Sequence, residues 1–381
     1  MSLPLPCPPE WLDGLDALAA QAIGLSDPNP RVACRIVTAT GQCFEGHTQQ
    51  AGGPHAEVMA LRAARAAGAD LAGATAIVTL EPCSHHGRTP PCCDALIDAH
   101  ISRVVVALPD PNPLVSGQGL ARLRAAGVRV DMLDAQHPLV LASRELNIGF
   151  LSRMERGRPW VRMKVAASLD GTTALSNGMS QWITGEAARV DGHAWRRRAS
   201  ALLTGIGTVQ EDDPRLDVRL VDTPRQPRRV VVDSRLDISP RARILQAPGE
   251  VLVYTAAPLA DSRSQRDALA ALGVTVIDCP GAPGTSGSHA KVDLTTMLQD
   301  LAQREVNELH LEAGHKLNGS FLRETLVDEV LLYLAPRLLG PGLGLAHLGP
   351  YAALDEGVRL AFAEVTAVGG DLRLRARVLT D

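Results

Sequence analysis

Short runs rich in β-branched residues alternate with helical patterns along almost the whole chain, and this alternation restricts the folds open to it. In the first part we expect strands at 32–38, 74–79, 103–107 and 128–132, and helices at 55–67, 92–99 and 120–126. Strands separated by helices favour a sheet that is covered by helical layers. We therefore predict an α/β fold with a mostly parallel or mixed sheet.

The pattern restarts near residues 152–159, where arginines, a glycine and a proline interrupt it. The chain of 381 residues is also longer than one hydrophobic core usually organises. We therefore predict two domains, at 1–151 and 152–381. In the second we expect strands at 161–165, 201–204, 229–233, 251–254, 274–278 and 308–311, a surface loop at 280–289 and a closing hairpin at 365–379.

Composition excludes several classes of partner. The net charge is −4 and aromatic residues make up only 3% of the chain. This gives no global electrostatic reason to bind nucleic acid or an anionic membrane. The chain start does not have the pattern of a signal peptide, and no run is apolar enough to span a bilayer. Seven cysteines, an odd number, favour reduced thiols. We therefore expect a cytoplasmic protein.

Three short features of the first domain together indicate a zinc site. His55-Ala56-Glu57 opens a predicted helix, Cys83 follows a predicted strand, and Cys92 begins the next helix. Zinc held by one imidazole and two thiolates keeps a fourth position for water and lowers the pKa of that water. Glu57 would then move a proton without binding the metal, as in zinc nucleobase deaminases.

The spacing of the cysteines leaves alternatives open. Eight residues separate Cys83 from Cys92, whereas the common deaminase signature has two. His85, His86 and Cys93 are also available, so a closed structural zinc site in a non-catalytic scaffold is a second interpretation. A third is a zinc deaminase acting on bases of RNA or DNA, which would require a basic groove with stacking aromatics.

A glycine-rich turn in the second domain is a candidate phosphate site. The expected strand at 309–312 leads into a segment that runs from Gly314 to Ser320 and continues as a helix. The start of a helix presents free N–H groups and the positive end of its dipole, which suits a pyrophosphate. The segment is not a P-loop, and the Rossmann fingerprint is absent, so a standard dinucleotide-binding domain is not expected.

Longer motifs carry a resemblance to a known family. They are Gly52-Gly53-Pro54-His55-Ala56-Glu57, Pro82-Cys83-Ser84-His85-His86-Gly87-Arg88-Thr89-Pro90-Pro91-Cys92, Ser168-Leu169-Asp170-Gly171, Ser180-Gln181-Trp182-Ile183-Thr184 and Asp212-Asp213-Pro214. With these motifs the chain resembles the bifunctional riboflavin-biosynthesis deaminase/reductases over nearly its whole length. The eight-residue cysteine spacing is normal in that family.

The resemblance implies a cytidine-deaminase-like three-layer domain followed by a dihydrofolate-reductase-like α/β domain, with Zn²⁺ and NADPH as cofactors. It implies deamination of a pyrimidine ribosyl phosphate and then reduction of its ribosyl unit to ribityl. We further expect a homo-oligomer, dimer or tetramer, that has no nucleic-acid or membrane partner.

The resemblance also implies roles for individual residues. In the first domain His55, Cys83 and Cys92 would bind zinc, Glu57 would be catalytic, and Asn29 would help to hold the pyrimidine. The implied cofactor contacts are Ala166, Trp182, Thr208, Asp212, Ser234, Gly314, His315, Lys316, Leu317, Asn318, Gly319 and Ser320. The implied substrate contacts in the reductase half are Lys164, Ser180, Arg196, Leu216, Arg219 and Glu312.

Overall fold

The computed structural model describes residues 7–84, 90–112, 116–282 and 290–379. The chain forms two compact units, Met1–Gly157 and Arg158–Asp381. Each contains its own sheet and its own helices. Among the described residues, every helix is either too short or too polar to cross a lipid bilayer.

The first unit contains a five-stranded mixed sheet. Its strands are β1 (Ala33–Val37), β2 (Cys43–His47), β3 (Thr75–Val78), β4 (Arg103–Val106) and β5 (Arg129–Met132). They lie in the order β2-β1-β3-β4-β5, with β1 antiparallel to both neighbours and β3, β4 and β5 parallel. The carboxyl ends of β3 and β4 therefore meet at one edge. The sequence prediction missed β2, because three of its five residues are not apolar and only Gly46 is buried.

The helices of this unit place the first candidate residues beside the sheet. They are α1 (Leu15–Ala20), α2 (Ala56–Ala66), α3 (Cys92–Asp98), α4 (Gln118–Ala125), α5 (Pro138–Leu146) and α6 (Ile148–Arg156). Helix α2 lies almost in backbone contact with β2 at Gly46. A Cβ atom at Gly46 would lie 2.4 Å from the Ala56 carbonyl oxygen and 2.5 Å from the Ala60 nitrogen. Only glycine permits this approach, which fixes the start of α2 against the sheet.

Helix α6 moves the boundary between the two halves. We expected the second domain to begin at residue 152, but the residues that suggested a linker continue α6 to Arg156. Phe150 and Leu151 belong to the core of the first unit, and Met154 packs against it. Gly157 then ends the helix in the left-handed conformation at φ 65°. The compact units accordingly divide between Gly157 and Arg158.

The second unit contains a nine-stranded sheet and a small two-stranded one. Its strands are β6 (Trp160–Ser168), β7 (Ala174–Leu175), β8 (Ala201–Gly205), β9 (Arg228–Val232), β10 (Val251–Thr255), β11 (Thr275–Asp278), β12 (Glu308–Leu311), β13 (Glu329–Ala335), β14 (Gly342–Leu343), β15 (Leu360–Val368) and β16 (Asp371–Val378). The large sheet has the order β11-β10-β9-β8-β12-β6-β13-β16-β15. It is parallel from β11 to β13, and the β15–β16 hairpin adds an antiparallel edge.

Helices cover both faces of this sheet. They are α7 (Glu186–Arg198), α8 (Ile206–Asp212), α9 (Arg243–Gln246), α10 (Leu259–Ala270), α11 (Leu294–Gln303) and α12 (His315–Arg323). Consecutive residues of β8 point to opposite sides, as strand geometry requires. Leu203 packs in a cluster with Met297 of α11 and Phe321 of α12, whereas Leu202 packs in a cluster with Leu269 of α10. The unit is therefore a three-layer α/β structure.

Most predicted elements of the second unit are present. All six expected strands occur, and the closing hairpin occurs with a longer first strand than predicted. Strand β13 was missed. The expected surface loop at 280–289 falls mainly on residues 283–289, which lie outside the described residues.

Candidate active sites

Three potential metal ligands meet in the first unit. His55 is the N-cap residue of α2, Cys83 follows β3, and Cys92 is the first residue of α3. His55 Nδ1 lies 3.6 Å from Cys83 Sγ and 3.4 Å from Cys92 Sγ. All three ligand atoms lie within 4.8 Å of one another. The structure thus brings together the residues that the sequence placed in one site.

This donor set fits zinc. One imidazole nitrogen and two thiolate sulfurs are typical zinc ligands, and a tetrahedral ion with bonds of about 2.0–2.3 Å would hold them roughly 3.5 Å apart. Hydrogen bonds from Cys92, whose backbone N–H donates to Cys83 Sγ over 3.3 Å, and from His55 hold the pKa of the Cys83 thiol well below its usual range. A thiol that ionises readily is suited to metal binding.

Cys93 does not join the cluster. Its thiol donates to the Pro82 carbonyl oxygen at 3.3 Å and to the Gly119 carbonyl oxygen at 3.5 Å. Burial raises its pKa to about 12, so the thiol stays protonated. The other two candidates for a closed zinc shell, His85 and His86, lie outside the described residues. Within the described chain, the cluster therefore has three ligands.

Glu57 lies beside this cluster in the first turn of α2 and is only 4% exposed. Its carboxyl group is in hydrogen-bond contact with the Cys92 thiol. Burial, followed by the nearby Cys83 thiolate, raises its pKa to about 7. A carboxyl group beside a metal site that can both accept and release a proton has the properties of an acid–base catalyst.

Asn29 lies in a tight turn just before β1. Its backbone N–H donates to the Ser26 carbonyl oxygen at 2.8 Å, and its carbonyl oxygen accepts from the Ser26 hydroxyl at 3.1 Å. Both backbone groups of Asn29 are therefore bonded, whereas its side-chain amide has no hydrogen-bond partner among the described residues. The amide is available to a ligand.

Glu81, which the sequence analysis missed, fixes the surroundings of Cys83. Its carboxylate is 4% exposed and accepts four backbone N–H groups, from Asp110, Gly117, Gly119 and Leu120, at 3.0–3.3 Å. These donors belong to the segment after β4 and to the start of α4. Glu81 therefore ties that segment to the chain that carries the metal ligand two residues later. The only signal in the sequence was a charged residue shortly after a buried strand.

A cleft of about 930 Å³ forms the candidate site of the second unit. Thirteen of the residues implied by the family resemblance line it: Lys164, Ala166, Ser180, Trp182, Arg196, Thr208, Asp212, Leu216, Arg219, Glu312, Gly314, His315 and Asn318. Several of them follow the carboxyl ends of β8 and β12, and the rest come from β6, from α7 and from the loops around residues 180 and 216. Ligands of open α/β sheets bind at this edge.

Five other predicted cofactor contacts lie outside the lining of this cleft. They are Ser234, Lys316, Leu317, Gly319 and Ser320. Gly319 has a packing role, because a Cβ atom there would lie 2.3 Å from the His347 carbonyl oxygen. The Ser234 hydroxyl accepts the Val292 N–H at 3.1 Å. The start of α12 therefore reaches the cleft only through its first residues and Asn318.

Glu312 is the centre of charge in the cleft. Arg196 forms a two-pronged ion pair with it, at 2.5 and 2.9 Å, and Lys164 Nζ lies 3.8 Å away. Burial alone would raise the pKa of Glu312, but Arg196 and Lys164 hold it well below its usual range. Burial lowers the pKa of Lys164. Arg196 also donates to the Asp217 carbonyl oxygen at 3.0 Å, so its guanidinium serves the protein and leaves little free for a phosphate.

Two buried histidines stand behind this charged group. His310 is fully buried, and its Nε2 lies 3.5 Å from Glu312 Oε1. Nδ1 of His193 accepts the Arg219 N–H at 3.1 Å. Burial lowers the pKa of His310 to about 3 and that of His193 to about 4. Both rings are therefore neutral near pH 7.

A buried layer of ion pairs extends from the cleft between the sheet and α7, and the sequence analysis did not predict it. Arg162 is fully buried and pairs with Glu308 at 2.8 Å and with Glu329 at 2.6 Å. Its guanidinium lies 4.5 Å from the centre of the Trp195 ring. Arg198 adds a second bond to Glu308 at 2.8 Å. Parallel register places these residues side by side on one face.

Comparison with protein families separates the chain into the same two halves. Residues 11–108 match the cytidine and deoxycytidylate deaminase zinc-binding region, and residues 159–374 match the RibD C-terminal domain. These matches confirm the predicted fold class, with a cytidine-deaminase-like domain preceding the reductase domain.

Relatives match over nearly the full length. The riboflavin biosynthesis protein RibD of Escherichia coli is 42% identical over 94% of this chain and 95% of its own length, and that of Aquifex aeolicus is 38% identical over 93% and 94%. The structure of Acinetobacter baumannii RibD is 39% identical with a TM-score of 0.84, covering 97% of this chain and 98% of its own. A Thermotoga maritima deaminase/reductase structure is 31% identical with a TM-score of 0.82 and the same coverage. The chain belongs to the RibD family, the bifunctional deaminase/reductases of riboflavin biosynthesis.

Proposed function

We propose that the first unit deaminates 2,5-diamino-6-(phosphoribosylamino)pyrimidin-4-one by hydrolysis and releases ammonia. His55, Cys83 and Cys92 would hold zinc, which when bound supplies a Lewis acid that activates water. Glu57, buried beside the ligands, accepts a proton from the attacking water and donates one to the departing amine. The Asn29 amide, which has no partner within the described chain, hydrogen-bonds the pyrimidine edge.

The second unit then reduces the ribosyl group of the deaminated compound to ribityl. NADPH supplies the hydride when bound. The first turn of α12, from His315, offers backbone N–H groups to its phosphates, whereas the Gly314 N–H donates to the Thr208 hydroxyl at 3.1 Å. Ala166, Trp182, Thr208 and Asp212 line the same cleft. Five other residues do not line the cleft, and we propose that they contact NADPH only in the arrangement that the protein adopts with the cofactor bound. They are Ser234, Lys316, Leu317, Gly319 and Ser320.

The substrate side of the cleft is organised around Glu312. Arg196 and Lys164 keep this carboxylate ionised, so it accepts hydrogen bonds from sugar hydroxyls. Lys164 offers an ammonium group beside it, and Ser180, Leu216 and Arg219 complete this side. Hydride transfer depends mainly on holding the two carbons together and on excluding water.

The observation that carries the proposal is the convergence of His55, Cys83 and Cys92 beside a buried Glu57. Incubation of the zinc-loaded protein with the diaminopyrimidinone ribosyl phosphate and NADPH tests both steps. We expect equal amounts of ammonia and oxidised NADPH and a product mass that fits both changes.

A chelator should stop ammonia release and leave reduction of the deaminated compound intact. Absence of turnover with zinc present would contradict the proposal. Reduction without deamination would indicate a reductase with an impaired deaminase domain.

We also propose that the protein is a homo-oligomer, in which β15 contacts a second copy. Strand β15 is the last strand of the nine-stranded sheet, and it exposes Leu360, Phe362 and Val365. An edge strand with exposed apolar side chains pairs readily with a copy of itself, because a two-fold axis makes the two surfaces self-complementary. A monomeric mass by light scattering would contradict this.

The remaining expectations concern partners and location. A small, phosphorylated pyrimidine is the proposed ligand, and the net charge of −4 offers no support for nucleic acid. All seven cysteines are unpaired. Free thiols favour a reducing compartment, so we propose the cytoplasm.

A further inference from the structure

The side chain of Asn147, at the junction of α5 and α6, bonds to both backbone groups of Arg31. Its Oδ1 accepts the Arg31 N–H at 2.7 Å, and its Nδ2 donates to the Arg31 carbonyl oxygen at 3.0 Å. The same Nδ2 donates to the Ser143 carbonyl oxygen at 3.1 Å. Asn147 is 2% exposed. The amide thus bonds both backbone groups of Arg31, as a residue of a neighbouring strand would.

The arginine side chain reinforces this connection. Its Nη1 donates to the Leu146 carbonyl oxygen at 2.8 Å, one residue before Asn147. Backbone and side chain of Arg31 are therefore both bonded to the junction of the two helices. Strand β1 begins at Ala33. The hydrogen bonds of Arg31 therefore fix the position of the chain shortly before it enters the sheet.

Arg31 is joined to Asn29 by a single proline. Pro30 has a fixed φ and no N–H group, and it also restricts the residue before it. Asn29 is held from the other side by its two hydrogen bonds to Ser26. A chain fixed at both ends with a stiff residue between them leaves the Asn29 amide little freedom of position.

We infer that Asn147 is a positioning residue of the deaminase site, which sets the place of the Asn29 amide for the pyrimidine without touching the substrate. The inference rests on the proposed role of Asn29. It assigns a function in substrate recognition to a residue that is 116 positions from Arg31 in the chain. Pre-organised recognition groups increase affinity because less order is lost on binding.

The test compares three variants for deaminase KM and kcat. Asn147→Asp keeps the size and the acceptor but removes both Nδ2 donors. Ser143→Ala is the matched control, because the Ser143 side chain is equally buried and its hydroxyl has no hydrogen-bond partner in the described part of the chain. Asn29→Ala sets the scale of the lost contact. Zinc content and the rate of reduction of the deaminated compound are measured for every variant.

For Asn147→Asp we expect KM to increase about 10-fold or more and kcat to stay within about threefold of the parent value. A tenfold increase in KM corresponds to a loss of roughly 1.4 kcal/mol of binding free energy. Zinc content and the reduction rate should not change. Ser143→Ala should behave as the parent protein. If Asn147→Asp does not fold, Asn147→Ser, whose shorter hydroxyl replaces the amide, should raise KM with kcat and zinc content unchanged.

Three results would overturn the inference. If Asn29→Ala raises KM and both Asn147 variants leave it unchanged, Asn147 has no positioning role and the proposed role of Asn29 stands. If Asn147→Asp lowers kcat and zinc content together at constant KM, the residue serves only the stability of the unit. If Asn29→Ala leaves KM unchanged, the role of Asn29 is wrong, and the inference falls with it.

Discussion

The two candidate sites are assembled in different ways. In the first unit the functional groups lie at helix starts or in a connecting loop, with His55 capping α2, Cys92 opening α3 and Cys83 in the loop that follows β3. In the second unit Lys164 lies within a strand, and Glu312 directly follows the neighbouring one. A site built at element ends leaves a compact motif in the sequence. A site built across strands depends on register, which no short motif records.

The two units also treat buried charge differently. Around the metal ligands, the buried carboxylates act singly: Glu57 beside the thiols and Glu81 on backbone N–H groups. The second unit instead buries Arg162 between Glu308 and Glu329, under the ring of Trp195. Substitution of a single carboxylate in the first unit should change the chemistry of its site. Substitution within the ion pairs of the second unit should change the stability of that unit.

The largest effect should come from Glu57→Gln, which removes the proton carrier and preserves the shape of the side chain. Deamination should fall by about 10²–10⁴-fold, the usual contribution of a positioned acid–base group. Ammonia release measures this step, and reduction of the deaminated compound should continue at the parent rate. Glu45→Gln is the control, because that glutamate is exposed on β2 and pairs with Arg35. Undiminished ammonia release by the Glu57 variant would show that the assigned proton carrier is wrong.

The next effect should come from Arg162→Leu. Removal of this guanidinium leaves buried Glu308 with Arg198 and buried Glu329 with Arg377 as their remaining partners, so the cost should lie near the lower end of the about 3–5 kcal/mol for a broken buried pair. Calorimetry should show a lower unfolding temperature for the reductase unit, while the deaminase unit unfolds as before.

Arg235→Leu is the matched control for that change. Arg235 pairs with Asp237 at 3.0 Å, and its side chain is 68% exposed, so its loss should cost less than about 1 kcal/mol. Equal effects of the two substitutions would remove the distinction between the buried layer and the surface.

The smallest effect concerns pH. His193 and His310 have lowered pKa values in the folded state, near 4 and 3, so the unfolded chain binds more protons below pH 6.5. Their stabilisation is complete above pH 6.5 and is lost as pH falls towards 4. At pH 5 each should destabilise the reductase unit by about 1–2 kcal/mol. Between pH 6.5 and 5, the unfolding temperatures of the His193→Asn and His310→Asn variants should decrease less than that of the parent protein. An equally steep pH profile would contradict the assignment.

The sequence was sufficient for the parallel strands other than β13 and for the metal cluster. Apolar runs such as β3 and β10 are buried along their whole length, so composition alone marks them. It was insufficient for β2, where only Gly46 is buried and no apolar pattern marks the strand, and for α6, whose arginines suggested a linker although its other face packs in the core. The roles of Glu81 and Asn147 depend on backbone groups distant in sequence, and backbone groups leave no trace in side-chain patterns.

The four N–H groups gathered on Glu81 have a consequence for how the deaminase pocket can vary. Asp110 and Leu120 cannot shift away from Cys83 without stripping a buried carboxylate of its donors. Insertions or substitutions that move Asp110 or Leu120 would disturb metal affinity as well as selectivity for the pyrimidine. Altered substrate preference should therefore be sought in the turn that carries Asn29, whose hydrogen bonds do not involve Glu81.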